Sequence, residues 1–144
     1  MSKNILVIHG PNINLTGTRK PEIYGSTTFD MLNDNIKKEA DKFGLSCEIF
    51  QSNCEGTLID KIHEARGNVS AIILNAGAYT HYSYAIRDAI EAVEIPCIEV
   101  HISNIFGRED FRSKSVIAPV CLGQVSGFDV DSYLIAVSAA ARLI

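Results

Sequence analysis

The sequence predicts a doubly wound α/β fold, a five-stranded parallel sheet with helices on both faces. Three observations carry this. Short apolar runs alternate with stretches of helical periodicity along the whole chain. The strongest runs are continuously apolar, as strands covered on both faces require. Polar side chains crowd the carboxyl ends of the runs and leave the opposite ends bare.

The first run, in residues 3–9, holds Ile5, Leu6, Val7 and Ile8 and reads as a buried strand. The connection after it, residues 10–28, is long. Such crossings usually take roughly two to six residues, and longer ones tend to be lids, binding loops or disordered segments. This one carries Asn12, Asn14, Arg19 and Tyr24 between Pro11, Pro21 and three glycines, too varied a set for a flexible linker, and is expected to be a functional lid. Phe29, Leu32, Ile36, Ala40 and Phe43 then recur at three- and four-residue steps, the apolar stripe of a helix, with Thr27 or Thr28 to cap it and Gly44 to end it.

Residues 45–51 form a more polar second strand, expected near an edge. Leu58, Ile59, Ile62 and Ala65 mark a second helix closed by Gly67, and residues 69–74, VSAIIL, a third strand. After the polar segment 75–81, Ala85, Ile86, Ala89, Ile90 and Val93 form one helical face. A fourth strand over 96–102 sets Glu99 and His101 in an apolar frame. A fifth, over 116–125, is broken by Pro119 and Gly123. The last helix, SYLIAVSAAARLI, has Asp129 or Asp131 as its cap and is apolar on nearly every side, as if sandwiched against the sheet or a neighbouring subunit.

Five parallel strands suggest the flavodoxin-like order 2-1-3-4-5. In such sheets ligands bind outside the carboxyl ends of the strands where the order reverses. That rule selects the lid, residues 75–81 and residues 99–104.

Composition narrows the function. The 144 residues fit a single domain, 1–144, with 47% hydrophobic and 21% charged residues, the profile of a soluble globular protein. A net charge of −4 without like-charge blocks argues against a nucleic-acid partner. No apolar run approaches the roughly 18 residues of a membrane span, and the start has no leader signature. Cys47, Cys54, Cys97 and Cys121 lack metal or redox spacing, and are expected to be buried and reduced in a cytoplasmic protein.

No GxGxxG or GxxxxGK[ST] loop is present to cradle phosphates. His9, His63, His81 and His101 are scattered without metal-ligand spacing, so no metal or other cofactor is expected. No lysine lies in an apolar strand run that would desolvate an amine for imine chemistry.

Glu99 and His101, two apart on a strand, leave the same face of the sheet. A carboxylate beside an imidazole holds its tautomer and equips it as a general acid or base, although the spacing equally suits a buried salt pair. Arg19 precedes Tyr24 on the lid, and a nearby guanidinium favours the phenolate, so the pair can form a base delivered by closure. A plain surface loop fits that composition too. Asn12, Asn75, Ser103 and Arg112 suit a polyhydroxylated or carboxylate ligand.

The segments GPNINLTGTRKPEIYGSTT, LNAGAYTHYSYAIRDAI, IEVHISNIFGREDFRS and GQVSGF closely resemble the type II 3-dehydroquinate dehydratases, over essentially the whole chain. The resemblance implies loss of water from 3-dehydroquinate to give 3-dehydroshikimate, in the shikimate or quinate pathway, by anti elimination through an enolate without metal or imine. It implies Tyr24 as base, Arg19 as the group holding its phenolate, Asn12 at the enolate, and His101 as acid oriented by Glu99. Asn75, Ile102 and Ser103 would hold the substrate carboxylate, and His81 and Arg112 the ring hydroxyls.

Asp88 would reach the site of an adjacent subunit, in a dodecamer built as a tetramer of trimers. Departures from the family pattern are His9 for a common asparagine, Thr16 for a usual leucine, and Tyr82 and Tyr84 for smaller residues. None removes a chemical role. A non-catalytic binding module of the same fold would need no base and acid together, and a phosphate or flavin site lacks its glycine loop.

Overall fold

A computed structural model of the chain describes residues 3–18, 20–24 and 26–144, with the side chain of residue 24 excepted. Strand β1 spans Lys3–His9, followed by a 3-10 turn at Ile13–Leu15, the single-turn helix α1 (Pro21–Tyr24) and helix α2 (Phe29–Lys42). Next come β2 (Leu45–Gln51), α3 (Glu55–Glu64), β3 (Ala71–Asn75), a 3-10 segment at Gly77–His81 and α4 (Tyr84–Val93). Strand β4 (Cys97–His101), a run of short 3-10 turns, β5 (Gly123–Ser126) and α5 (Asp131–Leu143) complete the chain.

The sheet is parallel throughout in the order β2-β1-β3-β4-β5, the flavodoxin-like arrangement expected, with the more polar β2 at an edge. Alternation along the strands divides the core. Ile5, Val7, Ile73, Ile98 and Val100 face α2 and α5, where Leu32, Ile36, Tyr133, Ala136 and Val137 are buried. Leu6, Ile8, Ile72 and Leu74 face α3 and α4, against Leu58, Ile62, Ile86 and Ile90. Both faces of β1 and β3 are therefore largely apolar, which is why those strands read as continuous runs.

Local chemistry sets the element ends. Thr28 caps α2 by accepting from Met31 N, and Gly44, at φ +70°, turns the chain out of it. The crossing after β1 is partly structured by the turn at Ile13–Leu15 and by α1. Helix α4 leaves Ala85 of its expected apolar face exposed.

Four sequence expectations are corrected. Strand β3 begins two residues late, because the amides of Asn68 and Val69 both bond back to Ala65 O to close the preceding helix. Strand β5 is confined to Gly123–Ser126, since Ala118–Val120, with Pro119 inside it, forms a 3-10 turn. Neither Asp129 nor Asp131 caps α5 by its side chain; its N-cap is Val130, whose own amide bonds to Asp129 Oδ1 at 2.8 Å. Cys54 is exposed rather than buried, while Cys97 is buried and all four cysteines are free thiols. No described helix is long and apolar enough to cross a membrane.

Candidate active site

The carboxyl ends of β1, β3 and β4 open onto one cleft. It lies where the strand order reverses, between β1 and β3. Pro11, Asn12 and Ile13 line it from the first crossing, and Asn75, Gly77, Ala78 and His81 from the segment after β3. His101, Ile102, Ser103, Ile105, Arg108 and Arg112 line it from the segment after β4. Its described walls hold two guanidinium groups and no carboxylate, which suits an anionic ligand.

The crossing after β1 starts tightly. Gly10 N donates to Asn75 O at 2.7 Å, and a Cβ on Gly10 would lie 2.7 Å from the backbone of Ala76. Only glycine lets β1 approach β3 that closely. Asn12 then takes φ +70°, in the left-handed region that asparagine tolerates, with its amide bonded to Asn53 Oδ1.

Glu99 and His101 do leave one face of β4, as their spacing predicts. Glu99 is fully buried behind the cleft and His101 is at its wall. Their Oε2 and Nε2 atoms are 2.5 Å apart. Nε2 therefore carries a proton toward the carboxylate, leaving Nδ1 as the atom that exchanges protons elsewhere. Ser115 Oγ, 2.9 Å from both Glu99 oxygens, donates to that carboxylate and accepts from Ala118 N. The buried Glu99 carboxylate thus accepts from two donors, His101 Nε2 and Ser115 Oγ, so its burial is matched by hydrogen bonds.

His81 stacks on His101 with ring centroids 6.4 Å apart, and its Nδ1 donates to Lys114 O at 2.8 Å. Burial, opposed by that carbonyl and helped by the positive fields of His101 and Arg112, lowers its pKa. A neutral His81 then presents Nε2 as an acceptor. Arg112 is held by Glu109, Nε to Oε2 2.9 Å, and lies over the Phe111 ring. Arg108 Nη1 donates to Ser103 Oγ at 3.3 Å.

Of the residues singled out from sequence, Asn12, Asn75, His81, His101, Ile102, Ser103 and Arg112 converge on the cleft, with Glu99 directly behind it. Asp88 does not reach this cleft; it sits on the exposed face of α4. Arg19 and the Tyr24 side chain lie outside the described residues. Sequence reasoning missed Arg108, Ser115 and Tyr133, whose hydroxyl accepts from Asn75 Nδ2 at 2.9 Å. The only signal for Arg108 was its place in the polar segment after β4. Among the described residues no three His, Cys, Asp or Glu side chains converge as a metal-ligand set.

Fold and cleft define the class: a doubly wound α/β protein with a buried imidazole–carboxylate pair beside the cleft at its topological switch point. The family model for dehydroquinase class II matches residues 3–141. A 3-dehydroquinate dehydratase of Caldicellulosiruptor saccharolyticus is 59% identical over 138 residues, covering 95% of each chain. The crystal structure of type II dehydroquinase from Butyrivibrio crossotus superposes with a TM-score of 0.95 at 47% identity, over 96% of this chain and 97% of that one. That from Propionibacterium acnes gives a TM-score of 0.94 at 40% identity, over 99% and 98%. The chain belongs to the class II dehydroquinase family.

Proposed function

We propose that this chain is a lyase that dehydrates 3-dehydroquinate to 3-dehydroshikimate, in the shikimate or quinate pathway, by anti elimination through an enolate. The observation that carries the reading is the buried Glu99–His101 pair, set at the wall of a cleft with two guanidinium groups. Likeness to the dehydratase of Caldicellulosiruptor saccharolyticus supports the choice of substrate.

In this reading Tyr24, as phenolate beside Arg19, takes the proton from the carbon next to the ketone. The C–H electron pair moves into the enolate, whose oxygen is met by Asn12 through an ordered water. The enolate then collapses to form the carbon–carbon double bond. The C–O bond breaks as the hydroxyl takes a proton from the His101 imidazolium and leaves as water. Glu99 stabilises that imidazolium, and solvent returns the proton from Tyr24 to His101. No metal or imine takes part.

Asn75 and the backbone N–H groups of Ile102 and Ser103 hold the substrate carboxylate, and His81 and Arg112 the ring hydroxyls. All steps fall within one catalytic domain, residues 1–144, in the cytoplasm. Asp88, on the outer face of α4, contacts the site of a neighbouring copy in a dodecamer arranged as a tetramer of trimers.

The test is spectrophotometric growth of the enone from 3-dehydroquinate. Wild-type protein should produce it, and folded oligomer that produces none would overturn the reading. Tyr24→Phe and Arg19→Ala should lower kcat by orders of magnitude with KM little changed, because they remove interactions made in the transition state. Near-normal turnover of Tyr24→Phe would sink the assignment of the base.

A further inference from the structure

We infer that Tyr133 and His9 are positioning residues: a buried relay from α5 through the end of β1 fixes the Asn75 amide so that it offers a donor to the substrate. The inference rests on Asn75 as a contact of the substrate carboxylate in the function proposed above.

The three side chains are almost wholly enclosed, with 0% of Tyr133, 0% of His9 and 2% of Asn75 exposed. Asn75 Nδ2 donates to Tyr133 Oη at 2.9 Å, Tyr133 Oη lies 2.9 Å from His9 Nδ1, and His9 Nε2 lies 2.9 Å from Asn33 Oδ1. These contacts assign every proton. Asn33 Oδ1 can only accept, so Nε2 carries the imidazole hydrogen and Nδ1 is the acceptor. The Tyr133 hydroxyl must donate to Nδ1, and its oxygen is left to accept from Asn75.

The other end of the amide agrees, since Asn75 Oδ1 accepts from Gly77 N at 3.0 Å. A flipped Asn75 would set donor against donor at Gly77 and lone pair against lone pair at Tyr133. With one Nδ2 hydrogen engaged by Tyr133, the second is left for the cleft that Asn75 lines. Burial keeps His9 neutral at working pH by lowering its pKa to about 4, so the relay keeps this direction.

The enone assay on purified full-length protein tests this. Tyr133→Phe should raise KM for 3-dehydroquinate about tenfold with a smaller change in kcat, because one hydrogen bond to the anion is misaligned. In an Asn75→Ala background the same substitution should raise KM no further. An unchanged KM in Tyr133→Phe, or an equal rise in both backgrounds as a merely structural role would give, overturns the inference.

Should Tyr133→Phe fail to fold, His9→Leu and His9→Asn carry the test. Leucine offers Tyr133 no acceptor and should raise KM. Asparagine places Oδ1 where Nδ1 stands and should keep KM near the wild-type value. Equal KM values in the two overturn the inference. Absence of enone formation by the wild type would instead overturn the function itself, and the inference with it.

Discussion

Glu99 Oε2 and His101 Nε2 stand 2.5 Å apart on adjacent same-face positions of β4, the carboxylate fully buried and the imidazole at the cleft wall. In the proposed mechanism Glu99 orients His101 as the acid. Glu99→Gln keeps the volume and removes the charge, so kcat should fall about a hundredfold, in the range of a lost general acid, with KM changing less. Steady-state kinetics on 3-dehydroquinate check this, and a kcat within about twofold of wild type would detach Glu99 from the chemistry.

Ser115 donates to both Glu99 oxygens and accepts from Ala118 N. Ser115→Ala takes a donor from a buried carboxylate and an acceptor from a backbone amide together. The expected cost is about 1–3 kcal/mol of stability, read from urea unfolding, with a several-fold loss of kcat. Unchanged stability would mean that solvent replaces the hydroxyl.

Two glycine substitutions should act in opposite directions. At Gly10 an added Cβ would meet Ala76 C and O at 2.7 Å and Asn75 O at 2.9 Å, all backbone atoms that cannot swing aside. Gly10→Ala should therefore destabilise by about 1–3 kcal/mol and raise KM by displacing Asn75. Gly56, in the first turn of α3, has nothing within 4 Å of its Cβ position. Gly56→Ala should stabilise by roughly 0.4–1 kcal/mol through the unfolded chain. Thermal and urea unfolding of the two variants side by side check both signs.

His9 makes stability depend on pH. Burial lowers its pKa from 6.5 to about 4, so between those values the unfolded chain holds a proton that the folded one excludes. Its contribution is complete above the unfolded value and is lost as pH falls toward 4, by about 3 kcal/mol in all. Carboxylates titrate in the same window, so the reading is the difference between wild type and His9→Asn. That difference should widen steadily from pH 6.5 downward, and parallel curves would contradict it.

Much of this protein was legible in its residues. The continuous runs at 5–8 and 71–74 are buried on both faces, and the Leu32, Ile36, Ala40 stripe turns inward. Thr28 and Gly44 bound α2 as their chemistry requires. The limits of β3 and β5 were less legible, because closing turns at Ala65 and Ala118 claim amides that apolar character alone assigns to strands.

The candidate site divides the same way. By itself the sequence determined the fold class, the order of elements and the Glu99–His101 pair, since apolar periodicity and a two-residue step on a strand are local properties. Tertiary structure alone decided that Ser115 reaches Glu99 and that Tyr133 reaches Asn75 across 58 positions. Those contacts follow from which strand ends the parallel crossovers bring together and how α5 packs over them. Once buried, a polar group must take whatever partner that packing supplies, and no local pattern encodes its identity.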